Sequence, residues 1–545
     1  MAHLTSPATR KSTPFLISLA FSVNVRLAPT VVYRALCRYR LTWMDRAPER
    51  TNHSTYLRQQ DGPGERESPR RFFEDQDHRP LHLRADQGAR GPIMSRLFGV
   101  FALLLVGMSA AAGVDRPLKV GVFAVDASPP LGSPLAYDPT KEVVHALSCR
   151  GIVLVGEGKP VVLCAVDWIG ISNDGQVDFR RALAEAAGTD PAHVAVHTLH
   201  QHDAPACDFS AVRLMTEHGA DPTAVFDVAF ARRVIARAAD AVRRATVEAR
   251  PVTHLGLGQA EVKEVASNRR ILGPDGKVRA TRWTACKDPE LRALPVGTID
   301  PTLRMISFWE GEKPVVALTY YATHPQSYYR TGGANPDFPG MARDRRQETT
   351  GVPHVHFNGA GGNVGAGKYN DGSPGNRQVL ADRVAAGMAR AWEATRKQPI
   401  RAADVGWESI SVALPPAHHL DEARLLARLA DRSIPVRDRA TAAGDLAWLR
   451  RCRTGSSVDV ACLRLGHARV LHMPGELFVE YQLAARDLRP DLFIAMAAYG
   501  DYAPGYIGTE VAYAQGGYET SPGSSLVAPS VERVLMSTMK RLLGN

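Results

Sequence analysis

Short β-branched runs alternate with longer helical stretches from Val120 almost to the end of the chain, and this interleaving limits the fold more than any other feature. The strand-like runs are 120–125, 151–155, 161–166, 193–196, 315–320, 354–357, 468–472 and 492–497. Between them lie helical patterns at 176–187, 223–248, 377–396, 420–452 and 531–543. Strands interleaved with helices predict an α/β architecture, not a sandwich or a helix bundle. With no fixed-period repeat and no low-complexity linker after residue 115, the expectation is a single large domain of mixed β-sheet with flanking helices over 115–545. The Arg/Asp/Ala-rich stretch 420–452 reads as a helical insertion with a solvated face.

The formal charge of +10 points to nucleic acid until it is located. Residues 1–93 hold 15 Lys and Arg against 9 Asp and Glu, so more than half of the excess lies there. The remainder contains no dense basic run, and no nucleic-acid partner is expected. The stretch 94–112 starts at Met94-Ser95-Arg96, continues through an apolar run of about 12 residues and ends in Ala110-Ala111-Ala112. That is the layout of a secretory signal peptide, and the apolar run is too short to span a bilayer. The reading is that translation begins at Met94, that 1–93 is a non-native or disordered leader, and that the protein is secreted or periplasmic with no transmembrane span once the signal is removed. Six of the seven cysteines lie beyond the signal, an even number suited to an oxidising compartment. Cys452 and Cys462 bracket a Gly/Ser loop and are the expected disulfide pair.

Ligands collect where strands end in α/β proteins, because the loops there are free to carry polar groups. The run ending at Val196 leads into His197-Thr198-Leu199-His200-Gln201-His202-Asp203. Residues two apart on a strand share a face, so His200 and His202 are placed to enter one cavity. The run 315–320 leads to His324-Pro325, 468–472 to Pro474-Gly475-Glu476, and 492–497 to Tyr499, Tyr502 and Tyr506. Two His and one Glu with an open position form the ligand set of a hydrolytic zinc centre. Gly362, Gly367 and Lys368 have phosphate-loop spacing, but Tyr369 replaces the magnesium-binding Ser/Thr and 370–374 cannot open a helix, so a backbone role beside the cavity is expected. Asp126, Asp167 and Asp337 read as capping or turn residues more than as carboxylates orienting histidines. His197 is a core residue or an outer donor to the cluster. His354 and His356 are expected to pack on their strand, and His418-His419 to lie on a surface loop.

Together the four junctions resemble the N-terminal catalytic region of the neutral/alkaline ceramidases, zinc-dependent amidases of sphingolipid metabolism that cleave the N-acyl bond of ceramide. The resemblance spans about 118–520. The family's Thr-His-Thr-His-Ser-Gly-Pro is similar to Leu199-His200-Gln201-His202-Asp203-Ala204-Pro205, and its Ala-Thr-His-Pro to Ala322-Thr323-His324-Pro325. Its Pro-Gly-Glu is similar to Pro474-Gly475-Glu476, and its closing Tyr…Tyr…Tyr-Glu segment to Tyr506, Tyr513 and Tyr518-Glu519. The resemblance implies zinc bound by His200, His324, Glu476 and Tyr506. It implies His202 as the general base toward the attacking water, and Arg269 of an Asn268-Arg269 segment at the carbonyl oxygen with Tyr518. The implied activity is hydrolysis of an amide bond in a small-molecule or lipid substrate, ceramide or another N-acyl lipid.

Two departures stand out. The family's Gly-Asp-Val-Ser-Pro reads Gly362-Asn363-Val364-Gly365-Ala366, so a serine is replaced by Gly365. No counterpart of the family's C-terminal immunoglobulin-like domain follows Glu519 in this sequence. Both favour an alternative, a catalytically inactive zinc-stabilised binding protein of the cell envelope. Retention of His202, Arg269 and Tyr518 favours an enzyme, since a purely structural site needs no base or oxyanion donor.

Overall fold

The structure, a computed structural model, describes residues 117–544; the leader and the signal-like segment lie outside the described residues. Eleven α-helices and several sheets of mixed pairing are present among the described residues. Three of these sheets form the body. The first orders Val194–Thr198, Val161–Val166, Ser148–Val155, Lys119–Asp126 and Arg250–Pro251. The second orders His354–Asn358, Lys313–Tyr321, Thr302–Glu310, His254–Glu261 and Arg396–Pro399. The third orders Val405–Val412, Val458–Leu465, Ala468–His472 and Phe493–Ala497. Each is antiparallel except for one parallel pair: Val161–Val166 with Val194–Thr198, Lys313–Tyr321 with His354–Asn358, and Ala468–His472 with Phe493–Ala497.

The strands of these parallel pairs are buried along almost their whole length, as strands covered on both faces are. The inner faces of the three sheets share one core, drawing Ile152 and Leu163 from the first, Ile306 and Phe357 from the second, and Leu463 and Val470 from the third. Helices cover the outer faces. Val228–Val247 buries Phe230, Val234, Ile235, Ala238, Val242 and Ala245, the i, i+3/i+4 stripe of an amphipathic helix. Asp227 caps it, its side chain accepting from the amide of Phe230. Gly121 lets that helix lie directly on its strand: a Cβ there would stand 2.0 Å from the carbonyl oxygen of Ala245.

Six strands of these sheets escaped the sequence pattern, the short Arg250–Pro251 and Arg396–Pro399 and the longer His254–Glu261, Thr302–Glu310, Val405–Val412 and Val458–Leu465. The longer ones carry Gly, Arg, Asp or Glu among their apolar residues, and it is pairing with neighbours that holds them extended. The stretch 420–452 is also corrected. It forms two helices, Glu422–Ala430 and Val436–Arg453, and the second buries Ala440, Ala443, Leu446 and Trp448 in the core behind the third sheet. Its alanines are packing surface, not a solvated face. The expected Cys452–Cys462 disulfide is absent. Cys452 ends a helix and Cys462 lies within a strand, and each packs as a free thiol against the same core.

Asp445, half-buried on Val436–Arg453, accepts no hydrogen bond among the described residues, and burial pushes its carboxyl up to about 7 against the weaker pull of Arg428. A carboxyl raised in the folded state contributes stability that is full below its unfolded pKa, near 4, and is lost as pH climbs through 7. Asp445→Asn is therefore expected to match the parent near pH 4 and to exceed it at pH 8 by about 2 kcal/mol, half of what three pH units at about 1.36 kcal/mol each would give, because the group is partly solvated. Urea midpoints at the two pH values check this; equal midpoints at pH 8 refute it.

Candidate active site

The C-terminal ends of the three parallel pairs lead to one place. Strand Val194–Thr198 ends in a turn at which the His200 amide donates to the carbonyl of Trp168 and His200 itself takes φ 63°. A left-handed backbone is strained for a residue with a Cβ, and it swings the imidazole inward from the strand end. Lys313–Tyr321 runs on to His324, whose amide donates to the carbonyl of Val364 in the glycine loop. Ala468–His472 turns at Gly475, φ 60°, into Glu476, which pairs in parallel register with Tyr506. The glycine loop permits the convergence. A Cβ at Gly361 would stand 2.6 Å from the carbonyl carbon of Thr323, and one at Gly362 would stand 2.2 Å from the carbonyl oxygen of Glu476. No phosphate cradle exists here, since the Lys368 ammonium is spent on the carbonyls of Arg292, Ala293 and Leu294.

Three side-chain atoms face one point. Nε2 of His200 lies 3.2 Å and Nδ1 of His324 lies 3.6 Å from Oε2 of Glu476. All three atoms are buried and none makes a hydrogen bond. The opposite atom of each residue is satisfied. Nδ1–H of His200 donates to the carbonyl of Ile169 at 2.6 Å, the Tyr502 hydroxyl donates to Oε1 of Glu476 at 2.7 Å, and Nε2 of His324 lies 3.1 Å from Nε2 of His202. An orphaned buried polar atom costs about 1–3 kcal/mol, so three inward-facing lone pairs make sense only if something cationic satisfies them together. This donor set fits a divalent metal ion. The nitrogens of His200, His202 and His324 also lie within 4.8 Å of one another, which suits a metal as well.

His202 and His324 are tuned for the neutral form. Burial, then His200 and Arg269, hold His202 well below the usual imidazole range; burial, Arg269 and the other two histidines do the same for His324. Burial pushes Glu476 up, but His200, Tyr502 and Arg269 together outweigh it and hold the carboxyl low. Neutral imidazoles and an ionised carboxylate are the forms a metal needs.

His202 differs from the other two, being half-buried with both ring nitrogens engaged: Nε2 by His324 and Nδ1 by the Tyr137 hydroxyl at 3.2 Å. The Tyr137 and Tyr329 rings pack on it, with centroids at 5.7 Å and 5.2 Å. Arg269 is buried and tied to Oε1 of Glu519 at 3.1 Å, and its guanidinium nitrogens lie 3.4 Å from the Tyr506 hydroxyl. Burial opposes its charge, but Tyr506 and Glu519 outweigh that, and the group stays protonated. Trp283, Tyr506 and Tyr518 form an aromatic wall around it, with Tyr518 and Trp283 exposed at the mouth. The seven expected site residues thus come together. Tyr506, expected as a fourth ligand, lies parallel to the His324 ring at 6.3 Å with its hydroxyl turned to Arg269.

At Gly365 a Cβ would stand 2.9 Å from Oγ1 of Thr284 and 3.2 Å from Cδ of Arg269, so threonine and arginine occupy the space that a serine side chain would take. Asp167 binds Arg343 and Ser148, Asp337 binds Ser327, and Asp126 closes a turn on Ser128; none hydrogen-bonds a histidine. His197 is a core residue, bonded to His472 at 2.9 Å and to the carbonyl of Ala498. His354 and His356 pack on their strand as expected, and His418 and His419 lie in an exposed loop. Tyr137, Tyr329 and Trp283 took no role in the sequence reading, and Tyr502 stood there only as a strand-end residue. Tyr137 and Trp283 sit far from the histidine motifs in the chain, and no spacing signals them.

No family model matches the sequence, and no curated protein matches it. Solved structures do match. A ceramidase complexed with C2 aligns with a TM-score of 0.57 at 15% identity, covering 78% of this chain and 75% of that one. A neutral ceramidase from Pseudomonas aeruginosa aligns with a TM-score of 0.56 at 15% identity, over 78% and 74%. At this identity it is the path of the backbone that is shared. The chain has the fold of the neutral ceramidases.

Proposed function

We propose that this chain is an exported zinc-dependent hydrolase of an amide (N-acyl) bond, acting on a small-molecule or lipid amide such as ceramide or another N-acyl lipid. The observation that carries this reading is the set of three orphaned buried atoms on His200, His324 and Glu476 beside a neutral His202 and a protonated Arg269. Two imidazoles and a carboxylate with open positions suit zinc in its catalytic form, and Tyr506, whose hydroxyl faces Arg269 here, is the proposed fourth ligand. When bound, the ion supplies Lewis-acid polarisation of the scissile carbonyl and a nucleophilic water at neutral pH. His202, neutral at that pH, accepts the proton of the attacking water and passes it to the leaving nitrogen as the C–N bond breaks. Tyr137 fixes the ring by its contact with Nδ1. Arg269, with the phenols of Tyr506 and Tyr518 around it, stabilises the charge that develops on the carbonyl oxygen. Similarity to ceramidase structures supports the amide class. No described helix is long and apolar enough to cross a membrane.

Elemental analysis of the purified protein, with a panel of N-acyl substrates assayed before and after chelation, tests the reading. The expected result is about one zinc per chain and hydrolysis that chelation abolishes. Bound zinc with no hydrolysis of any amide would favour the inactive binding protein instead. Within the same assay His202→Ala is expected to keep its metal and lose about 10²–10⁴-fold in kcat, the usual contribution of a general base. An unchanged kcat removes His202 from the mechanism.

A further inference from the structure

The rim over His202 carries a cation with no anion. Arg330 lies on the loop between Pro325 and Pro336, and its side chain is exposed. Among the described residues its guanidinium forms neither an ion pair nor a side-chain hydrogen bond, whereas Arg269 and Arg270 are tied to Glu519 and Arg377 to Asp203 and Asp337. It is nonetheless held in place. The backbone takes φ 66°, and the Arg330 amide donates to Oδ1 of Asp203 at 2.9 Å, while the Thr331 hydroxyl donates to Oδ2 at 2.7 Å. A left-handed arginine is strained, and that strain persists only where surrounding contacts impose it. The guanidinium carbon stands 5.0 Å from the Tyr137 ring centroid and 5.6 Å from that of Tyr329, the two rings that pack on His202. Glu142, on the strand that pairs with Gly333–Ala334, makes no ion pair with it.

We propose that Arg330 recognises an anionic group on the amine side of the substrate, so that the amides cleaved are N-acyl amines bearing a carboxylate or a phosphate-like group. This inference rests on the amide-hydrolase reading above. The side follows from the layout: Arg269 marks the carbonyl oxygen, whereas Arg330 lies over the rings around His202, the residue that hands the proton to the leaving nitrogen. Two aromatic faces and a pinned backbone pre-orient the planar fork, so little freedom is lost when it takes a bidentate anion. Water adds to the carbonyl carbon, the C–N bond breaks, and an acid and an anionic amine leave; no other reactant is needed.

The test compares N-dodecanoylglycine, its phosphonate analogue N-dodecanoyl-aminomethylphosphonate and the neutral N-dodecanoylglycinamide on the full chain. The parent is expected to favour an anionic amide over the neutral one by about tenfold or more in kcat/KM, mainly through KM. The carboxylate and phosphonate arms show which anion fits. Arg330→Gln should bring the anionic-to-neutral ratio close to one, and Arg330→Lys should restore part of it. Equal rates on all three amides in the parent, or a variant that lowers all three alike, overturns the proposal. If none is hydrolysed, the hydrolase reading fails, and calorimetric binding of the intact amides decides this one separately. An Arg330-dependent preference for an anion sustains it, and no preference or no binding ends it.

Discussion

Glu476→Gln is expected to yield a folded protein that no longer retains a divalent ion and hydrolyses amides on the order of 10³-fold more slowly or worse. The residue is buried and presents Oε2 to Nε2 of His200 and Nδ1 of His324, while Oε1 accepts from Tyr502. The amide can turn its oxygen to Tyr502 and leave an NH₂ facing the imidazoles, which keeps the packing but replaces an anionic ligand by a donor. Loss of the ion removes several kcal/mol of charge stabilisation at the carbonyl, and each 1.36 kcal/mol is a factor of ten in rate. His324→Ala is expected to behave alike by deleting a second inward-facing atom. Metal content by mass spectrometry and kcat on one N-acyl substrate are the measurements; full metal occupancy in either variant would remove that residue from the ligand set.

Arg269→Ala is expected to lower kcat by about 10²–10³-fold with KM little changed, because its cation acts on charge that exists only in the transition state. The stability cost is limited. Breaking a buried ion pair usually costs 3–5 kcal/mol because one charge is left alone. Here Oε2 of Glu519 keeps Arg270 at 3.2 Å, so a loss nearer about 2 kcal/mol is expected. Urea unfolding separates the two effects, since a variant that melts like the parent yet has lost its rate can owe the loss only to chemistry. Arg269→Lys keeps the charge but not the fork that spans Glu519 and the Tyr506 hydroxyl, and should fall between the two. If kcat survives in the alanine variant, some other donor faces the carbonyl oxygen.

Much of the site was legible because its donors follow strand ends. His200, His202, His324 and Glu476 each stand a few residues after an apolar run, and the structure draws Nε2 of His200 and Nδ1 of His324 to within 3.6 Å of Oε2 of Glu476. The remainder was not legible. Tyr137 reaches Nδ1 of His202 from 65 residues upstream, and Trp283 reaches Arg269 through a turn with no periodic pattern. Cys452 and Cys462 looked like partners because sequence distance was the only distance to hand; a helix end and a strand interior then placed their thiols apart.

By itself the sequence determined the α/β class and the strand ends at which polar residues leave the core, because hydrophobic periodicity is written within a few residues of each position. The tertiary structure alone decided that the body is three sheets around a shared core. It also decided that 420–452 packs inward and that Tyr502, not another histidine, holds the outer oxygen of Glu476. Those outcomes depend on how sheet faces meet across hundreds of residues, and a side chain's neighbours across such a contact leave no periodic trace in its own segment.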